Sequence, residues 1–133
     1  MTRILIADDN EMVRRALRHL IESHKDWEVC GEAMGGREAI DRARELHPDV
    51  LVLDLVMPGI NGFEAARQIA ESEPGLPILL CTVQISPYVV EKAQKMGIQG
   101  AVAKSEVRQI TEGIAALLRR EKFYWPLGRI KSA

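Results

Sequence analysis

Asp8-Asp9, Asp54 and Lys104 each follow directly on a short apolar run. The runs are Ile4-Leu5-Ile6-Ala7, Val50-Leu51-Val52-Leu53 and Gly100-Ala101-Val102-Ala103, and a fourth, Pro77-Ile78-Leu79-Leu80-Cys81, ends in Thr82. Such runs read as strands buried on both faces of a parallel sheet. In an open α/β sheet the ligand crevice lies beyond the carboxyl ends of the strands. Carboxylates brought together there repel and raise one another's pKa values. A divalent cation removes that conflict, and oxygen donors without His or Cys suit a hard ion such as Mg²⁺. His19, His24 and His47 fall on helices or at a helix end, which argues against a transition metal. Given a phosphoryl donor, Asp54 has the chemistry of a nucleophile that forms an aspartyl phosphate. Lys104 would balance charge on the equatorial oxygens of the transferring group, and the Thr82 hydroxyl would donate a hydrogen bond to one of them.

Each residue also has a plainer role. Asp9 or Asn10 is expected to cap the first helix. Thr82 alone is a β-branched strand residue, and Lys104 alone a solvated charge. The functional reading rests on all of them reaching one sheet edge.

Five strand–helix alternations would position them. A strand over 3–7 precedes a helix over 11–24 with Val13, Leu17, Leu20 and Ile21 on one face. Trp27 to Ala33 is a less apolar strand, expected at a sheet edge. Gly35-Gly36 opens a helix carrying Ala39, Ile40, Ala43 and Leu46, ended by Pro48. The third strand, 50–53, leads through Met57-Pro58-Gly59-Ile60-Asn61-Gly62 to a helix burying Phe63, Ala66, Ile69 and Ala70. A strand over 77–81 and a helix over 87–96 follow, and Gly97 suits a left-handed helix end. A strand over 100–103 and a helix over 106–120, with Val107, Ile110, Ile114, Leu117 and Leu118 inward, complete the series. Alternation of this kind predicts a parallel sheet with right-handed crossovers and helices on both faces.

The 133 residues suffice for one domain with a real core, and 47% hydrophobic with 28% charged residues describe a globular chain. A net charge of -1 gives no footprint for nucleic acid. Cys30 and Cys81 read as a reduced pair within strands. No window approaches the roughly 18 apolar residues of a membrane helix, and acids stand where a signal peptide needs apolar residues. A cytoplasmic protein without membrane contact is expected.

Ile4-Leu5-Ile6-Ala7-Asp8-Asp9-Asn10, Asp54-Leu55-Val56-Met57-Pro58-Gly59-Ile60-Asn61-Gly62, Thr82 and Gly97-Ile98-Gln99-Gly100-Ala101-Val102-Ala103-Lys104 together resemble the receiver domain of bacterial two-component response regulators. The resemblance covers about residues 1–120. It implies a flavodoxin-like, doubly wound sheet of five parallel strands in order 2-1-3-4-5 with five helices. It implies Asp54 as phosphoacceptor, with Asp8, Asp9, Asp54 and the Val56 carbonyl holding Mg²⁺, and Thr82 and Lys104 on the phosphoryl group. It also implies a sensor histidine kinase or phosphotransfer protein as donor, and a conformational or dimerisation change, with homodimers as one form of output. Such a protein is a signalling phosphoacceptor rather than an enzyme. The competing expectation is a Mg²⁺-dependent phosphohydrolase acting through an aspartyl phosphate, which needs a second acid where this chain has Val56. A flavin or nucleotide module would need a phosphate-cradling loop where Asp8-Asp9-Asn10 stand.

Two positions depart from the family. Ala101 stands where the family carries an aromatic that swings inward on phosphorylation, so a signal is expected to travel through backbone and loops. Val83 is bulkier than the usual small residue and is expected to narrow access to the site. The tail, 121–133, contains Phe123-Tyr124-Trp125-Pro126 and resembles the start of the linker in the NarL-type subgroup. DNA enters as a partner only through an effector domain outside this chain. The aromatic trio is read either as packing against the last helix or as a partner surface.

Overall fold

A computed structural model describes residues 1–125 and 128–130. Six strands run parallel with helices between them. In chain order the elements are β1 (Thr2–Ala7), α1 (Glu11–Glu22), β2 (Trp27–Ala33), α2 (Gly36–Leu46), β3 (Val50–Asp54) and α3 (Gly62–Ser72). They continue with β4 (Ile78–Thr82), α4 (Pro87–Lys95), β5 (Gly100–Ala103), α5 (Val107–Leu118), β6 (Lys122–Tyr124) and β7 (Gly128–Ile130). The sheet order is β2-β1-β3-β4-β5-β6-β7, with β7 antiparallel to β6. The expected order 2-1-3-4-5 and the five helices stand, and β2 takes the edge as its lower apolar content implied.

The five-strand count is corrected. Beyond β5 the chain adds β6, in parallel register with Gly100 opposite Phe123 and Ala101 opposite Tyr124. Backbone bonds from Phe123 N–H to the Gln99 carbonyl (3.0 Å) and from Trp125 N–H to the Ala101 carbonyl (2.9 Å) hold it. Small residues on β5 make this berth. A Cβ on Gly100 would lie 2.7 Å from the Phe123 carbonyl oxygen, so only glycine allows the two backbones so close. A three-residue strand is too short to announce itself by alternation, which is why Phe123-Tyr124 reads as linker in the sequence. Both are buried, so the first half of the tail packs on the sheet and Trp125 is half-covered. Pro126 and the rest of the tail other than 128–130 lie outside the described residues.

Strand alternation divides the core in two. Leu5, Leu51, Leu53, Leu80 and Ala101 face α2, α3 and α4. Ile4, Ile6, Val52, Leu79 and Val102 face α1 and α5. The pattern carries on into β6, with Phe123 on the α5 side and Tyr124 on the α4 side. The Tyr124 hydroxyl donates to the Ile98 carbonyl, which satisfies a phenol buried in the core.

The helix starts obey their capping residues. Asn10, Asn61 and Ser86 accept from Val13 N–H, Glu64 N–H and Val89 N–H, and Pro87 occupies the first turn of α4. Of the two expected caps for α1, Asn10 is the one used. Gly97 follows α4 with φ +78°, the left-handed conformation its position implied. Two expected core residues are not in the core. Val107 is 53% exposed because α5 begins there, before the helix reaches its packing face, and Ala70 is exposed while Ala65 is buried instead. Among the described residues no helix is long and apolar enough to cross a membrane.

Candidate functional site

Three strands of the sheet centre, β1, β3 and β5, deliver the charged residues of the site, with β4 lying between β3 and β5. β1 ends at Ala7 and hands on Asp8, the central β3 ends in Asp54, and β5 ends at Ala103 before Lys104. Because β1, β3, β4 and β5 are parallel and adjacent, these ends share one edge. Asp8 is 1% and Asp54 3% exposed, whereas Asp9 is exposed. Each of Asp8, Asp9 and Asp54 has a carboxylate oxygen within 4.8 Å of the others'. Lys104 Nζ lies 2.7 Å from Asp8 Oδ2 and 3.0 Å from Asp54 Oδ2, bridging the two buried carboxylates.

Backbone geometry fixes the rest of the edge. Lys104 N–H donates to the Thr82 carbonyl at 2.7 Å, so the ends of β4 and β5 are tied and Thr82, buried, lies beside Lys104 in the chain's path. Asp54 Oδ1 accepts from Val56 N–H at 3.2 Å. The loop after β3 closes with Gly62 N–H on the Leu55 carbonyl, and buried Met57 anchors it to the core. A Cβ on Gly62 would sit 2.5 Å from the Asp54 carbonyl oxygen and 2.7 Å from Leu55 Cα. Glycine there lets α3 start directly against the strand end that carries Asp54.

Electrostatics at this edge are opposed. Burial pushes the Asp54 pKa up; the Lys104 hydrogen bond pulls it down and Asp8 pushes it up again, and the net shift is upward. Burial lowers the Lys104 pKa, but its bonds to Asp8 and Asp54 outweigh this, and its net shift is also upward. Cys81, opposite Asp54 in the register, is held by burial at about 12 and is an inert thiol. The oxygens of Asp8, Asp9 and Asp54 form a hard, anionic donor set of the kind Mg²⁺ takes.

The structure therefore brings together Asp8, Asp9, Asp54 and Lys104, and sets Thr82 and Val56 at the same edge. Val83 is exposed beyond β4. Ala101 is fully buried with Tyr124 directly opposite on β6. One residue of this region escaped the sequence reading. Arg14 is buried on α1, with Nη1 2.8 Å from the Asp8 carbonyl oxygen. Its signal was a charge at the core-facing spacing Arg14, Leu17, Ile21.

A doubly wound parallel sheet in the order 2-1-3-4-5, with its polar cluster beyond the carboxyl ends of the strands, is the flavodoxin-like class of α/β domain. The family model described as the response regulator receiver domain matches residues 4–115, and the chain belongs to that family, the receiver domain of two-component systems. It is 33% identical over 125 residues to the response regulator protein VraR of Staphylococcus aureus, an alignment that takes in 93% of this chain and 60% of that protein. The chain thus spans about 60% of the length of the curated relatives it matches. Among solved structures, a LuxR-family two-component response regulator from Aurantimonas sp. SI85-9A1 superposes with a TM-score of 0.88 at 35% identity, covering 92% of this chain and 89% of that one. The isolated receiver domain of RcsB from Salmonella enterica serovar Typhimurium, determined in the presence of the phosphomimetic BeF3⁻, has a TM-score of 0.85 at 28% identity, covering 92% of each chain.

Proposed function

We propose that Asp54 accepts a phosphoryl group from a sensor histidine kinase or phosphotransfer protein, and that Asp8, Asp9, Asp54 and the Val56 carbonyl hold Mg²⁺ for that step. The observation that carries this reading is the Lys104 ammonium within 3.0 Å of two buried carboxylates. Such a site is built to concentrate charge that a transferring group will exchange. A carboxylate oxygen of Asp54 attacks phosphorus, the bond to the donor imidazole nitrogen breaks, and its electron pair leaves with the imidazole. Burial makes Asp54 the more basic nucleophile, and Lys104 keeps its charge compensated until transfer. Lys104 and Thr82 then contact the phosphoryl oxygens. Mg²⁺, when bound, supplies charge neutralisation for the carboxylates and the phosphoryl oxygens.

Exposed apolar side chains support a protein donor. Met12, Met34, Val56, Val83 and Val107 each follow the end of a different parallel strand, so all sit on the same edge as the carboxylates. A phosphomonoesterase acting through an aspartyl phosphate would need a second acid two residues on from Asp54 to protonate a leaving group, and Val56 there is apolar and exposed. The proposed output is a conformational or dimerisation change in the cytoplasm, with DNA reached only through an effector domain outside this chain.

Incubation with acetyl phosphate and Mg²⁺ followed by intact-mass measurement tests the reading. One phosphoryl group per chain, lost in Asp54→Asn, is expected. Labelling that persists in the variant would move the acceptor to Asp8 or Asp9, and sustained turnover of a phosphomonoester would make the protein a hydrolase.

A further inference from the structure

Only four polar or charged residues are buried among the described ones, namely Asp8, Asp54, Thr82 and Arg14. Three belong to the carboxylate edge. Arg14 touches none of its carboxylates, and its position on the apolar face of α1, one turn before buried Leu17 and two before buried Ile21, would suit a leucine. A buried ion pair is weak evidence for stability, since packed apolar residues of like volume often do as well. What the guanidinium does is best read from where its donors go.

Nη1 donates to the Asp8 backbone carbonyl at 2.8 Å, and Nε donates to Glu32 Oε1 at 2.9 Å. Glu32, on β2, is in turn gripped by Arg18, whose Nε lies 2.9 Å from Oε2, and burial notwithstanding, the two arginines hold its pKa below the usual range. The fork thus ties the end of β1 to the neighbouring strand. The carbonyl it grips belongs to the planar peptide that joins Asp8 to Asp9. Asp8 has further fastenings, from its N–H to the Ala33 carbonyl and from its carboxylate to Asn10 N–H and Lys104. The Asp9 carboxylate has no hydrogen bond or ion pair among the described residues, so no side-chain partner fixes it and the backbone sets the direction from which it reaches Asp8 and Asp54.

We infer that Arg14, anchored by Glu32, is a positioning residue for cation binding: it orients the Asp8–Asp9 peptide and so directs the Asp9 carboxylate toward Asp8 and Asp54. Lysine could not replace it, because one ammonium on a flexible stem does not span both acceptors in a fixed plane. This inference rests on the Mg²⁺ reading above.

Calorimetric titration of Mg²⁺ into the unphosphorylated protein, with amide spectra recorded before metal is added, tests it. Partners that orient metal ligands typically contribute ten- to a hundredfold in affinity, so Arg14→Met is expected to bind Mg²⁺ about tenfold more weakly. Its Asp9 and Asn10 amide resonances should move already in metal-free buffer. Arg14→Lys, which keeps the charge and loses the fork, should stay weakened. Wild-type affinity in Arg14→Met, or full recovery in Arg14→Lys, overturns the inference. If Arg14→Met does not fold, Glu32→Ala serves, with weaker Mg²⁺ binding expected and unchanged binding overturning. Absence of Mg²⁺ binding by the wild-type protein would instead bring down the metal reading, and the inference with it.

Discussion

Asp54 carries opposing influences. Burial favours its neutral form, the Lys104 hydrogen bond favours the charged form, Asp8 opposes it, and the net pKa is raised. A carboxyl raised in the folded state contributes stability that is full below its ordinary value and is lost as pH rises through the raised one. Asp54→Asn, which imitates the neutral form, is therefore expected to unfold at a higher temperature than wild type near pH 7 and to lose that advantage near pH 4. Thermal unfolding at the two pH values checks this, and a variant less stable at pH 7 would mean that the Lys104 bond outweighs desolvation. Lys104→Met removes the cation between two buried carboxylates and leaves them facing each other. Breaking one partner of a buried pair costs roughly 3 kcal/mol. That cost should appear in denaturant unfolding at neutral pH and shrink as acid protonates Asp54, whose pKa is raised. A change that is small and independent of pH would return Lys104 to the status of a solvated charge.

The sixth strand is the element that most alters the picture of this domain. Tyr124 fills the α4 side of the sheet against Ala101 and fastens itself to the Ile98 carbonyl. Tyr124→Phe keeps the ring and leaves that carbonyl without its donor, for a loss of about 1 kcal/mol. Burial holds the phenol pKa at about 12. The stability it contributes is full below the ordinary value for tyrosine and is lost as pH climbs through about 12. Unfolding free energies measured between neutral and strongly alkaline pH should fall less steeply in Tyr124→Phe than in wild type. Equal slopes would show that another group governs the alkaline limb.

For the molecule as a whole, the sheet continues through residues that resemblance assigned to a linker. A chain ending at Arg120 would uncover the edge of β5 and the ground beneath Phe123 and Tyr124. Fully burying one large apolar side chain is worth about 1.5–3 kcal/mol, so the shortened chain should be less stable by several kcal/mol. An unfolding midpoint unchanged by the truncation would show that β6 is dispensable. The same packing bears on signalling. Tyr124 already occupies the side of the sheet next to Ala101, so phosphorylation is expected to act mainly through the loops after Asp54 and Thr82. Amide exchange on phosphorylated and unphosphorylated protein should change most there and little over Lys92–Gly97. Changes of equal size in both regions would show full coupling to α4.

The order of elements, the carboxyl-edge placement of Asp8, Asp54, Thr82 and Lys104, and the edge position of β2 were legible in the sequence. Each is local: an apolar run ends in a polar residue, and alternation with helices forces parallel neighbours. The family likeness added roles to those positions. Three features depended on tertiary structure. The bridge from Lys104 to both Asp8 and Asp54 depends on how far strands ending at residues 7, 54 and 103 overlap, which register decides. The strand β6 is too short for a period of its own and exists because Gly100 and Ala101 leave room for it. Arg14 is a charge on an apolar helix face, and only folding brings it onto the Asp8 carbonyl and Glu32, 18 residues further on. Sequence pattern reports what each segment needs to bury; which distant group meets a buried charge is settled when the segments pack.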